Sequence, residues 1–181
     1  MPRYVALLRG INLGSQRRVS MPRLRATLGD AGYGSVGTVA QSGNLVLTSD
    51  ARPEKLERNL AKLLKASFGF EIAVLIRTRD ELADVIANDP FAGEADDAAR
   101  YQVSFLSADP DSARIAELER AAVAPERVAV RGREIYAWHP GGVGRSPLAK
   151  LMTEHHLGVG VTARNWRTLG KLLALAEGSG P

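Results

Sequence analysis

The sequence predicts an α/β fold made of two ferredoxin-like β-α-β-β-α-β halves packed together, with an extra C-terminal helix. Two observations predict this fold. The 181-residue chain is 45% hydrophobic and 24% charged, which is typical of a globular protein. Short apolar runs alternate with longer amphipathic segments, and the order strand, helix, strand, strand, helix, strand occurs twice. No sequence repeat accompanies the second occurrence, so the two halves share only a pattern.

The first half contains four strand-like runs and two helix-like segments. A short continuous apolar run is typical of a buried strand, and leucines three or four residues apart are typical of a buried helix face. Ser20 followed by Pro22 predicts a helix start, because serine caps helices and proline is tolerated in their first turn. The predicted elements are a strand at 4–8, a helix from Ser20 to about Gly32, strands at 35–40 and 44–48, a helix from Pro53 and a strand at 72–76.

The second half follows a connecting helix and a small, acidic loop. Its predicted elements are a strand at 101–106, a helix at 111–123, strands at 127–130 and 134–139, a helix from Ser146 to about His156, a strand at 158–162 and a final helix capped by Asn165. We therefore predict an N-terminal half at residues 1–78, a connector at 79–99, a C-terminal half with the extra helix at 100–177, and a tail at 178–181.

Composition excludes several classes of protein. The absence of cysteine excludes disulfides, zinc ribbons, iron–sulfur clusters and thiol catalysis. No run approaches 18 apolar residues and no secretory signal is visible, so we expect a cytoplasmic protein that does not enter a membrane. We expect no cofactor and no metal. An antiparallel edge strand can pair with a copy of itself, so a monomer and a homodimer are both open.

Charge is distributed unevenly along the chain. Residues 1–79 carry 13 Lys+Arg and 5 Asp+Glu, residues 80–126 carry 3 and 12, and residues 127–181 carry 8 and 3. An acidic middle between two basic ends predicts a polarised surface that attracts an anionic partner, provided that the basic blocks share one side. The alternative is a set of solvated faces that only maintain solubility.

The loop between the first strand and the first helix has the composition of an anion site. Arg9, Gly10, Asn12 and Gly14 lie in it, with two further arginines before the helix. Glycines allow backbone N–H groups to turn toward an anion, and the start of the following helix adds a favourable dipole. The spacing of the glycines does not fit the dinucleotide fingerprint. A flexible surface loop is the alternative.

Two other segments are candidate binding sites. Gln41, Ser42, Gly43 and Asn44 turn the first hairpin, and residues of these types are common turn formers. The glycine-rich loop at 139–146 lacks the spacing and the lysine of a phosphate-binding P-loop, which excludes nucleotide hydrolysis of that type and leaves anion binding open.

A fourth candidate segment lies near the C-terminus. Asn165 fits a helix N-cap with Thr168 at the third helical position. This cap does not explain the neighbouring Arg164 and Trp166. An arginine beside a tryptophan can form a stacking pair.

Catalytic constellations are scarce. His155 and His156 are adjacent on a predicted helix, so they point in different directions and cannot chelate a metal together. No metalloprotease or serine hydrolase motif is present, and Ser42 lacks an identifiable base. These observations favour a protein that is not an enzyme.

Recognition of RNA by aromatic residues on an open sheet is disfavoured. The third strand, 44–48, carries no aromatic residue, and the first strand is apolar on both faces, which predicts that it is covered on both sides. In the second half Tyr101, Phe105, Tyr136 and Trp138 could stack on bases, but aromatic residues on strands are more often part of a core.

Three segments resemble the bacterial family called domain of unknown function 1697. They are residues 4–12 with Gly14, residues 41–44, and residues 162–166 with Thr168. The resemblance extends from Tyr4 to about Leu175, and Ala163 replaces a threonine that is usual in the family. It implies ferredoxin-like halves and no established activity. It also implies shared positions at Arg9, Gly10, Asn12, Gln41, Ser42, Gly43, Asn44, Arg164, Asn165, Trp166 and Thr168.

Three functions remain open. The leading hypothesis is a non-catalytic binder of an anionic, phosphate-bearing ligand such as a nucleotide or nucleic acid. The second is an enzyme acting on a small phosphorylated or carboxylated metabolite, with Arg9 or Arg164 as the anion clamp. The third is a structural or regulatory interaction module. We expect the loop after the first strand and the hairpin to emerge at opposite ends of the sheet, so the motifs need not share a pocket.

Overall fold

A computed structural model describes residues 1–178, so residues 179–181 of the predicted tail lie outside the described part. The chain divides into two compact units, residues 1–86 with 170–181 and residues 87–169. Each contains a four-stranded antiparallel sheet with helices between its strands, which confirms the predicted fold class. The predicted limits of the two halves stay predictions. Within residues 1–178 no helix is long and apolar enough to cross a membrane.

The first sheet has the strand order of a ferredoxin-like half, with the first and third strands in the centre. The elements of this part of the chain are β1 (Arg3–Arg9), α1 (Met21–Asp30), β2 (Gly34–Val39), β3 (Asn44–Thr48), α2 (Pro53–Phe68), β4 (Ala73–Thr78) and α3 (Arg79–Ala87). The order across the sheet is β2-β3-β1-β4, and every neighbouring pair is antiparallel.

Both faces of β1 are buried, as its sequence predicts. Tyr4, Ala6 and Leu8 join the core beneath α1 and α2, while Val5 and Leu7 on the opposite face are also inaccessible to solvent. Burying apolar side chains on both faces stabilises the central strand and prevents it from acting as an exposed binding surface.

The second sheet repeats this arrangement. Its elements are β5 (Tyr101–Leu106), α4 (Ser112–Ala121), β6 (Arg127–Arg131), β7 (Glu134–Trp138), a 3-10 turn (Val143–Arg145), α5 (Pro147–Leu151), α6 (Glu154–Leu157), β8 (Val161–Asn165) and α7 (Trp166–Ala176). The order across the sheet is β6-β7-β5-β8. The last two turns of α7, from Gly170, belong to the first unit, where Leu175 contacts Gly37 of β2.

The helix predicted from Ser146 to about His156 is two helices. The backbone leaves the helical conformation at Met152, with φ −82° and ψ 54°. The hydroxyl of Thr153 then accepts a hydrogen bond from the backbone N–H of His156, which caps α6 as a new helix.

The strand predicted at 158–162 is also displaced along the chain. Gly158 has a φ of 72° and ends α6, so the strand cannot begin there and starts instead at Val161.

The aromatic side chains of the second sheet belong to its core. Tyr101, Phe105, Tyr136 and Trp138 are all buried, with Trp138 the most accessible at 7%. They are therefore not available to stack on the bases of RNA, in agreement with the sequence analysis.

Candidate functional site

The loop after β1 and the β2–β3 hairpin lie at the same end of the first sheet, so the expectation that they emerge at opposite ends was wrong. Leu7 near the end of β1 pairs with Asn44 at the start of β3, and Leu8 N donates to Gly43 O at 2.8 Å. The physical reason is strand direction: because β3 runs antiparallel to β1, the strand that ends and the strand that begins meet at one edge.

Asn12 joins the loop to the hairpin. Its Nδ2 donates to Gln41 O at 2.7 Å and to Val19 O at 3.0 Å, and its Oδ1 accepts from Val19 N at 2.8 Å. The residue has a φ of 55°, a left-handed conformation that asparagine tolerates better than most side chains. The Asn12 amide therefore positions two segments and leaves little hydrogen-bonding capacity for a ligand.

The hairpin approaches β1 closely at Gly43. A Cβ atom there would lie 2.6 Å from Leu8 Cβ and 2.9 Å from Ile11 Cδ1, and the φ of 75° also favours glycine. The buried side chain of Asn44 donates to Val39 O at 3.0 Å and to the Ser42 hydroxyl at 2.8 Å. Gly43 and Asn44 thus determine the shape of the hairpin.

The joined loop and hairpin enclose a cleft of about 430 Å³. Its lining residues are Asn12, Gly14, Arg18, Val19, Ser20 and Gln41. Arg18 is exposed and supplies the cationic side chain. Ser20 is the N-cap of α1, so the positive end of that helix borders the cleft.

The loop presents unused backbone donors beside this cleft. Within residues 1–178, the N–H groups of residues 13–18 donate no hydrogen bond, and these residues are exposed. Exposed N–H groups in a glycine-containing loop are suited to bind an anion.

The other arginines of the loop are placed differently. Arg17 lies over the Phe70 ring, with its guanidinium carbon 5.6 Å from the centroid, and packs close to Gly10. Arg9 is half-buried at the end of β1, opposite Ala73 of β4. Only Arg18 of these three lines the cleft.

The predicted motif at 164–168 lies in the second unit. The Asn165 carboxamide accepts a hydrogen bond from Thr168 N at 2.9 Å, which confirms its predicted role as the cap of α7. Trp166 stacks on Tyr101 with ring centroids 4.7 Å apart. Arg164 donates to its own neighbour, Ala163 O, at 2.8 Å, and burial lowers the pKa of Arg164 to about 10.

Tyr101 connects this motif to the rest of the second sheet. Its hydroxyl donates to the carboxylate of Asp89, and its ring also contacts Phe91. Burial, followed by the hydrogen bond to Asp89, raises the pKa of Tyr101. Trp166 therefore rests on a hydrogen-bonded aromatic cluster.

Sequence reasoning placed Arg18 in the candidate anion loop and Ser20 at the helix cap, but it did not assign Arg18, Val19 or Ser20 to the binding site that they line. The signal was present, because Arg18 stands two residues before a predicted helix cap. The pairing of β1 with β3 brings the hairpin to the cleft beside Ser20. The sequence of the loop alone does not reveal this pairing.

Comparison with known proteins places the chain in a family. The model of the family described as a protein of unknown function, DUF1697, matches residues 1–136. The chain belongs to this family. The matched region includes the loop after β1 and the hairpin, and it ends before the motif at 164–166.

Several chains among the solved structures have a similar fold. One of them is described as the structure of conserved bacterial protein SP0830 from Streptococcus pneumoniae, with a TM-score of 0.78 and 23% sequence identity. The similarity covers 97% of this chain and 98% of that chain. No curated protein matched the chain in a sequence search.

Proposed function

We propose that the protein is a non-catalytic binder of a phosphate-bearing ligand, a nucleotide or a nucleic acid, and that the cleft beside α1 is its binding site. The observation that carries this proposal is the convergence of Arg18, the unused loop N–H groups and the start of α1 on one cleft. A guanidinium, free backbone donors and a helix dipole each favour a phosphate group, and here they act at one place.

The charge of the first unit supports the same proposal. Residues 1–86 and 170–181 carry 14 Lys+Arg against 9 Asp+Glu, whereas residues 87–169 carry 10 against 11. An excess of cations on the unit that contains the cleft raises the local concentration of a polyanion and speeds its association.

The test measures binding of a fluorescently labelled, mixed-sequence RNA oligonucleotide by anisotropy at low and moderate salt. We expect the affinity to fall steeply with salt, because bound phosphates release counterions. The Arg18→Ala variant should bind at least about tenfold more weakly at low salt, since a hydrogen bond to a charged group contributes about 1.5–3 kcal/mol.

The matched control is Lys62→Ala, which removes the same charge from an exposed position of α2 outside the cleft. It should bind nearly as well as the wild type. Competition with ATP distinguishes the ligand source: displacement of the RNA indicates a nucleotide site, and no displacement indicates a nucleic-acid site. Absence of RNA binding at low salt would exclude a nucleic-acid ligand, and absence of ATP binding as well would show that the cleft is not a phosphate site. Equal weakening of RNA binding by both substitutions would show that the RNA does not bind at this cleft.

A further inference from the structure

The second unit contains a separate cleft with opposite charges and apolar walls. Its volume is about 330 Å³, at the lower end of the range for small-molecule sites. The apolar walls include Val123, Pro125, Pro140 and Pro147, and the charged lining residues are Glu126 and Arg145. The glycine-rich loop at 139–146, which the proposed function does not use, forms one side of it.

Glu126 is held in place by a buried histidine. His139 is fully buried, and its Nδ1 lies 3.0 Å from Glu126 Oε1. Within residues 1–178, His139 Nε2 is buried and has no hydrogen-bond partner. Because an N–H group without an acceptor is costly to bury, the proton belongs on Nδ1, where it is donated to the carboxylate.

This arrangement leaves a negative charge available to the cleft. The hydrogen bond from His139 orients the Glu126 carboxylate, and the Glu126 side chain remains 14% exposed. One carboxylate oxygen is engaged by His139, and among residues 1–178 the other has no hydrogen-bond partner, so it can accept hydrogen bonds from a cation.

Arg145 supplies the opposite charge. It is exposed, and its side chain makes no hydrogen bond or ion pair within residues 1–178. Glu126 and Arg145 therefore line one cleft without neutralising each other. Such a site is complementary to a small ligand that carries both an ammonium and a carboxylate group.

We infer that this cleft binds a free α-amino acid with an aliphatic side chain. The ammonium group pairs with Glu126, the carboxylate pairs with Arg145, and the side chain packs against the valine and proline walls. This site lies in a different unit from the proposed phosphate site, so each can be tested without the other.

The test is isothermal titration calorimetry of the full chain with L-leucine, 3-methylbutylamine and 4-methylpentanoic acid. The amine lacks the carboxylate of leucine, and the acid lacks its ammonium group. We expect saturable binding of L-leucine at millimolar concentrations and binding at least about tenfold weaker for the two analogues, since each lacks one charged hydrogen bond. Absence of saturable heat with L-leucine, or equal binding of either analogue, would overturn the inference.

Variants localise the site. Glu126→Gln and Arg145→Gln should each weaken L-leucine binding by at least about tenfold. The controls Glu119→Gln and Arg120→Gln alter exposed residues of α4 that do not line the cleft, and they should bind as the wild type does. If loss of the Glu126 charge prevents folding, Arg145→Gln still tests the site, because the Arg145 side chain has no partner in the part of the chain that the structure describes. Unchanged binding by Arg145→Gln would overturn the inference.

Discussion

Backbone conformation at single residues shapes the cleft of the first unit. Gly10, Asn12, Gly14 and Gly43 all have positive φ values, between 55° and 76°. Side chains with a Cβ atom rarely adopt this conformation, which favours glycine and asparagine at these four positions, although Arg17 of the loop and Ala40 of the hairpin also have positive φ values. Gly14 has open space around it, whereas Gly43 is tightly packed. Substituting each of them therefore separates the cost of a positive φ from the cost of close packing.

Gly43→Ala is expected to lower the free energy of unfolding by about 3 kcal/mol, because it combines a strained φ with a clash against Leu8 and Ile11. Gly14→Ala is the matched control: its φ is 65°, but no atom lies within 4 Å of the added Cβ. It should cost only about 1 kcal/mol. Urea unfolding followed by circular dichroism measures both, and equal losses would show that close packing at Gly43 is unimportant.

The chemistry of an amide explains why sequence alone could not assign the roles of Asn12 and Asn44. A carboxamide bonds equally well to a backbone carbonyl, a hydroxyl or a ligand, so residue type does not reveal its partner. In the folded protein Asn12 bonds to Val19 and Gln41, and Asn44 bonds within the hairpin. Ligand binding by the predicted site residues stays a prediction, and Arg18 is now the residue that tests it best.

At the scale of elements, helix starts were the most predictable features. Ser20, Asp111, Ser146 and Asn165 each accept a hydrogen bond from a backbone N–H in the first turn of the following helix. A cap depends on neighbouring residues in the sequence, so local chemistry is sufficient to predict it. The bounds of β3 and β5 were also predicted correctly from neighbouring residues. In both strands a short apolar run is flanked by glycine or polar residues.

Asp111→Ala is expected to lower the free energy of unfolding by about 1 kcal/mol, because Asp111 accepts from both Ala113 N and Arg114 N at the start of α4. Asp111→Asn is the control, since asparagine caps helices about as well as aspartate does. Thermal unfolding should show a lower Tm for the alanine variant alone. Equal Tm values for the wild type and both variants would mean that this cap does not stabilise the fold.

Other elements depended on contacts that the local sequence does not contain. The break between α5 and α6 places Leu148 and Leu157 in the same core beneath the second sheet. The spacing of apolar residues in this segment is compatible with one continuous helix and equally with two short helices that both face the core. The position of β8 was shifted for a related reason, because its register is set by pairing with β5.

At the scale of the whole molecule, alkaline conditions should destabilise the second unit. Burial raises the pKa of Tyr101, and it raises the pKa of Tyr136 to about 12. Above pH 10 or so, unfolded tyrosine loses its proton while both folded tyrosines keep theirs, so the unfolded state binds fewer protons and stability falls with pH. Arg164 opposes this change, since its folded pKa of about 10 lies below that of unfolded arginine.

The destabilising contributions of the two tyrosines are larger than the stabilising contribution of the one arginine. We therefore expect the urea concentration at the unfolding midpoint to decrease as the pH is raised from about 9.5 to about 11.5. The Tyr101→Phe variant should have a much flatter pH dependence, because one of the two tyrosine contributions is removed. Tryptophan fluorescence is the appropriate measurement, since Trp138 and Trp166 both lie in the second unit. An equally steep fall in the variant would contradict the role of Tyr101.

Charge along the sequence and charge in the folded units differ. The acidic segment at 80–126 spans the limit between the two units, and its first three acidic residues belong to the first. The second unit is therefore nearly neutral, although the sequence contains a strongly acidic middle. An anionic partner is expected at the first unit because charges act through space rather than along the chain.

The sequence alone was sufficient to predict the order of the strands, the family, the helix caps at Ser20, Ser146 and Asn165, and the burial of both faces of β1. These features depend on the periodicity of apolar side chains and on neighbours a few residues apart. Only the tertiary structure decided which loops meet, which arginine lines the cleft and which carboxylate a buried histidine orients. Those pairings join residues such as Asn12 with Gln41 and Glu126 with His139 through strand direction and packing, and local sequence carries no information about either.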